Sequence, residues 1–184
     1  MYVFRYLKGV GMKKYSFFGK IDFSDGKVDI TDPCYDKDVW CRMNDVAIEP
    51  GIYECYARLS DEGDWGIRVA AIAITKDLRF IQRVDGITPV HKYIGKIGVD
   101  AGLAGFFESK IDFSDQEWKD FCRLLSASEK ECDEEGFKHV FYSPGKEFLT
   151  KGFFSSSGLG DGGYPVYAHV SENDCPDALI IEFL

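Results

Sequence analysis

From Tyr15 onward the chain falls into short runs whose apolar residues recur at every second position, each run closed by glycine, proline or an Asp-Gly pair. Tyr15, Phe17, Gly19, Ile21 and Phe23 alternate with Ser16, Lys20 and Asp22, the period of a half-buried strand. Asp25-Gly26 has hairpin-turn chemistry, so Lys27 to Thr31 reads as the return strand of a β-hairpin. Asp32-Pro33 ends it, because proline lacks an N–H and restricts the residue before it. Asp36 to Cys41 then has the length of one helical turn. Pro50-Gly51 opens another strand, with Tyr53, Cys55, Ala57 and Leu59 on one face. Trp65 to Thr75 is apolar almost throughout, Arg68 apart, and its Ile and Val content predicts a strand covered on both faces at the sheet centre. Further strands are predicted over Arg79 to Val84, Tyr93 to Val99, Ala104 to Glu108, Phe137 to Tyr142, Phe148 to Ser156, Tyr164 to Val170 and Ala178 to Phe183, with Asp85-Gly86 and Pro89 as breaks.

One segment has the other period. Ser114-Asp115-Gln116-Glu117 is a capping box, Phe113 and Trp118 form a hydrophobic staple, and Trp118, Phe121, Cys122 and Leu125 recur at helical spacing. A helix from Ser114 to about Leu125 with that face on the core is expected. Many short strands and one helix predict a mainly β, β-rich α+β fold: an antiparallel sandwich or strongly curved sheet with one packed amphipathic helix. The 184 residues suit one domain, residues 12–184, with 1–11 as an N-terminal extension before Met12. Lys20 to Asp25 recurs as Lys110 to Asp115, but the flanks disagree, so both copies read as strand ends followed by a Ser-Asp start signal.

No run approaches the ~20 apolar residues of a membrane-spanning helix, and the N-terminus, with a charge inside its apolar stretch, fails as a secretory signal. A cytoplasmic location is expected. There the six cysteines, none in a C-x-x-C pair, are expected to be free thiols. The net charge of −9 repels phosphate backbones, so neither nucleic acid nor membrane is the expected partner.

Gly158 to Gly163 satisfies G-x-G-x-x-G formally, but Tyr164-Pro165-Val166-Tyr167 follows it as a strand where a dinucleotide site needs a helix. It reads as a turn delivering a strand. His91, His139 and His169 lack zinc-site spacing, and His169 is expected to face solvent. The pattern with most chemical potential is three aspartates beside glycine or proline: Asp32 before Pro33, Asp100 before Ala101-Gly102, and Asp161 between Gly160 and Gly162. Carboxylates at the ends of different strands can converge on calcium or magnesium; equally, Asp caps turns by accepting local backbone N–H groups. No cofactor is otherwise expected. Cys34, Tyr35, Gly102, Gly160, Gly162 and Tyr164 flank these aspartates as supporting residues.

At these places the chain resembles a family of uncharacterised bacterial and phage proteins, a domain of unknown function. The matching residues are Asp32-Pro33-Cys34-Tyr35, Pro50-Gly51-Ile52-Tyr53, Val99-Asp100-Ala101-Gly102 and Gly160-Asp161-Gly162-Gly163-Tyr164-Pro165-Val166-Tyr167. The resemblance covers about residues 15 to 184 and implies one β-rich domain in which the aspartate motifs matter; it implies no reaction. With no intact catalytic motif, the expected function is a non-catalytic binding or interaction protein, and a basic macromolecule that it neutralises suits its charge. The alternative is a hydrolase in which Asp32, Asp100 and Asp161 hold a metal that activates water.

Overall fold

The computed structural model describes residues 14–82, 89–109, 116, 119–121, 123, 139–145 and 151–184. They form strands β1 (Tyr15–Phe23), β2 (Lys27–Thr31), β3 (Met43–Ala47), β4 (Gly51–Asp61), β5 (Ile67–Thr75), β6 (Lys92–Val99), β7 (Leu103–Phe107), β8 (Val140–Pro144), β9 (Lys151–Ser156), β10 (Gly162–Val170) and β11 (Pro176–Glu182). One sheet runs β1-β4-β5-β11-β10-β6 and the other β3-β2-β7-β9-β8. All the pairings are antiparallel. The protein is mainly β, as the recurrent period of two predicts.

Both sheets contribute to one buried cluster. Ile21, Tyr53, Ile72, Ile74, Ile97, Val166 and Leu179 enter it from the six-stranded sheet, and Val28, Ile30, Phe106 and Phe153 from the five-stranded sheet. β5 is an interior strand buried on both faces, because Ala71 and Ala73 on its other side lie under Leu78, Phe80 and Ile81. That second cover explains why its sequence does not alternate.

Several expectations are corrected. β1 and β2 are joined by the Asp25-Gly26 turn, with Gly26 at φ 69° donating to Phe23 O, yet they do not pair. β1 pairs with β4 while β2 pairs with β3 and β7. The turn is an arch that carries the chain from one sheet to the other, so Phe23 and Val28 both enter the shared core. Residues 36–41 form turns rather than helix, with Val39 N donating to Asp36 O and Arg42 N to Val39 O. The strand expected at Arg79 is instead a 3-10 turn over Leu78–Phe80, with the Asp77 side chain accepting from Arg79 N; residues 83–88 lie outside the described residues. Of the predicted helix, Gln116, Lys119, Asp120, Phe121 and Arg123 are helical. They fall within the expected span from Ser114 to about Leu125, but among the described residues they amount to one short helix, which does not support the one packed amphipathic helix expected; Phe121 is buried with its ring 5.6 Å from that of Phe154, and Ser114, Trp118, Cys122 and Leu125 lie outside the described residues. So do residues 1–13 and the second copy of the repeated hexapeptide. Among the described residues no helix is long and apolar enough to cross a membrane.

Among the described residues, the edge strands of the two sheets touch one another at both sides. The Tyr142 ring lies over Gly19, where a side chain would collide with it, and its hydroxyl donates to Lys20 O at 2.6 Å. This joins β8 to the edge strand β1. At the opposite edge, Gly98 N of β6 donates to Cys41 O at 2.9 Å, and Met43 of β3 lies against Gly95. Close approach there requires glycine.

Candidate functional site

The three aspartate motifs meet, but not as three converging carboxylates. Asp32 follows β2 and is fully buried. Its Oδ1 accepts from Cys34 N at 2.9 Å, and its Oδ2 accepts from Asp100 N at 3.0 Å and Ala101 N at 2.8 Å. A buried carboxylate requires such donors to offset its desolvation. Asp32 therefore clamps the turn between β6 and β7 to the start of the 34–41 loop.

Asp100 and Asp161 are exposed. They lie near one another through register, since Val99 is paired with Gly162, but no group of three or more His, Cys, Asp or Glu side chains placed to hold a metal ion is found among the described residues. The turn carrying Asp161 is held by other groups. Ser157 N donates to Gly102 O at 2.9 Å, Ser157 Oγ to Gly160 O at 2.7 Å, and the Tyr164 hydroxyl is shared between Ser157 O at 2.8 Å and Gly160 O at 2.5 Å. Burial raises the Tyr164 phenol pKa, and its ring meets Phe183 edge-on. Gly158, Gly160 and Gly162 adopt positive φ of 60°, 114° and 159°, which supports the reading of this stretch as a turn delivering β10.

The supporting residues fall on the same scaffold. Cys34 is the near donor to Asp32, and Gly102 is the acceptor that ties in Ser157. Burial, then the proximity of Cys41, Asp100 and Asp32, pushes the Tyr35 phenol up to about 12, so this hydroxyl is neutral at any physiological pH. Beneath it lies a buried ion pair that periodicity could not reveal. Arg42 holds Asp29 at 3.0 Å, its Nε donates to Asn44 Oδ1 at 2.8 Å and another nitrogen donates to Tyr35 O. Asp29 Oδ1 accepts Asp45 N at 2.8 Å. The 34–45 segment is pinned at both ends by buried carboxylates.

On that pinned segment stands Trp40, 93% exposed, with Asp36 and Asp38 exposed beside it. Lys37, the cation between those aspartates, is directed away to Ser109 O. Asp100, on the turn that Asp32 clamps to this segment, adds a further exposed carboxylate. Sequence reasoning passed over Trp40; the only signal was a large aromatic in an acidic stretch without strand or helix period.

His169 does not face solvent as expected. Its Nδ1 lies 2.6 Å from Asp177 Oδ1 and its ring stacks on Phe80 at 4.1 Å, because the 3-10 turn folds back over the sheet. Cys34, Cys41, Cys55 and Cys175 are thiols outside any disulfide among the described residues; Cys122 and Cys132 lie outside the described residues. Comparison of the chain with protein-family models, with curated proteins and with solved structures returned no match. The resemblance carried by the four motifs rests on those residues alone.

Proposed function

We propose that this is a non-catalytic interaction protein that docks a basic protein partner through the 34–41 loop and the adjoining Asp100 turn, with Trp40 as the anchor. The observation carrying this reading is Trp40, almost wholly solvated on a backbone held in place from both sides. Tryptophan is the residue type most enriched among binding hot spots, and pre-ordering its loop lowers the entropy lost on association. The surrounding carboxylates and the net charge of −9 favour a cationic partner over nucleic acid or an anionic membrane. Neutralisation of such a partner in the cytoplasm is the role this surface suits. On this reading the two sheets form an antiparallel β-sandwich whose loops at one end present the docking face.

The test is affinity capture from the native host at low salt with the wild type, Trp40→Ala and the double variant Asp36→Asn/Asp38→Asn. The expected result is one cationic protein retained by the wild type, released as salt rises, and lost with Trp40→Ala while the variant melts at the wild-type temperature. Equal retention by Trp40→Ala, or no cationic protein retained by the wild type, overturns the proposal.

A further inference from the structure

The glycine turn also walls a cleft. Trp65 and Arg68 from the β4–β5 hairpin, Gly102, His139 before β8, and the Ser156 to Gly160 backbone enclose a cavity of about 230 Å³. This is smaller than the ~300–1,000 Å³ that drug-sized ligands occupy, so its occupant is small.

Arg68 stands apart from the other described arginines. Arg42, Arg58, Arg79 and Arg123 each hold a carboxylate, whereas Arg68 holds none among the described residues, and its Nε is shielded from solvent with no acceptor. Arg68 is also the charge that interrupts the apolar Trp65 to Thr75 run. In a chain with nine more acidic than basic residues, a half-buried arginine with no carboxylate among the described residues needs an explanation, because a buried donor left unmet is destabilising. An acceptor brought by a ligand removes that cost. A guanidinium receives a planar carboxylate side-on through two parallel N–H bonds.

The rest of the lining selects among anions. Trp65 is 65% exposed and Leu159 is 55% exposed at this cleft, offering flat and apolar surface to the body of a ligand. One guanidinium balances one negative charge, while a phosphate dianion calls for more cations than Arg68 supplies. We propose that this cleft binds a small monocarboxylate with a flat apolar body, its carboxylate on Arg68 and its body against Trp65. This site is independent of the Trp40 surface.

The test is an NMR titration of the full chain with benzoate, with benzamide and inorganic phosphate as comparison probes. Benzoate is expected to give saturable shifts of the Trp65 indole N–H, the Arg68 Nε–H and the Gly158 and Gly160 amides. Benzamide binds at least about tenfold more weakly, in keeping with the loss of charge-assisted hydrogen bonds. Arg68→Met abolishes the shifts, Trp65→Ala weakens them, and Trp40→Ala leaves them unchanged. Should Arg68→Met fail to fold, Arg68→Lys keeps the charge but loses the fork and is expected to bind at least about tenfold more weakly. No saturable shift with benzoate overturns the proposal, as does wild-type binding in whichever Arg68 variant folds. Phosphate or benzamide binding as tightly as benzoate refutes the choice of a monocarboxylate.

Discussion

Asp32 is the residue whose removal most directly separates a structural carboxylate from a metal ligand. Its two oxygens accept three backbone N–H groups, from Cys34, Asp100 and Ala101. In Asp32→Asn one oxygen becomes a donor. The better orientation keeps the amide oxygen on Asp100 and Ala101 and turns the NH2 toward Cys34 N–H, so one bond is lost and the other two lose their charge assistance. With hydrogen bonds to a charged acceptor worth ~1.5–3 kcal/mol each, the expected cost is about 2–3 kcal/mol. Asp32→Ala orphans all three donors; Asp100 and Ala101 are exposed, so water recovers part of the loss, and about 3–5 kcal/mol is expected. Equilibrium unfolding in urea measures both, with an unchanged m-value expected for a two-state chain. Hydrogen exchange adds a local readout: freeing the 100–101 turn loosens the Gly102–Ser157 bond, so Ser157 and Gly160 amides exchange faster. Asp161→Asn, at an exposed position, is expected to stay within ~0.5 kcal/mol of wild type, and neither calcium nor magnesium is expected to raise the melting temperature. If Asp32→Asn is as stable as wild type, or Asp161→Asn costs as much as Asp32→Asn, the clamp argument fails; an ion-dependent rise that Asp161→Asn abolishes restores the metal reading.

Phe154 is fully buried with rings of Phe107, Phe121 and Phe141 at 5.4, 5.6 and 5.0 Å, so Phe154→Ala is expected to cost about 3–5 kcal/mol in urea; a loss under ~1 kcal/mol would mean that the aromatic cluster is not close-packed. Burial holds the Cys55 thiol far above its ordinary pKa, so a thiol reagent should spare Cys55 in the native protein, while denaturant without reductant exposes all six cysteines as free thiols; fast native labelling of Cys55, or a count below six, contradicts this. Hydrogen bonds from Ser171, Lys76 and Asn173 lower the Glu49 pKa. A folded-state value below the unfolded one means the contribution is complete above the ordinary glutamate pKa of ~4.3 and is lost as pH falls through the lower folded value. Unfolding free energy measured against pH should therefore fall less steeply below ~4.3 in Glu49→Gln than in wild type, and identical slopes would remove Glu49 from the acid response.

The period of two in β4, the apolar run of β5 beyond Arg68 and the glycine turn before β10 were legible in the sequence because each reports a local property, namely which faces are buried and where φ turns positive. Pairing is not local. The Asp25-Gly26 signal is the same for a hairpin and for the arch that sends β1 and β2 into different sheets, and the choice was made by Ile21, Phe23, Val28 and Ile30 all needing one core. The 3-10 turn at Leu78–Phe80 read as strand because its apolar residues serve the outer cover of β5. Among the candidate site residues, local turn chemistry already put Asp32, Asp100 and Asp161 at turns beside strand ends. Packing set the rest: Asp32 points inward to backbone N–H groups from a segment 68 positions away, Asp100 and Asp161 stand exposed, and Arg68 holds no carboxylate among the described residues. Burial follows residue type and period, but the partner of a buried charge is set by whichever distant backbone the packing brings to it.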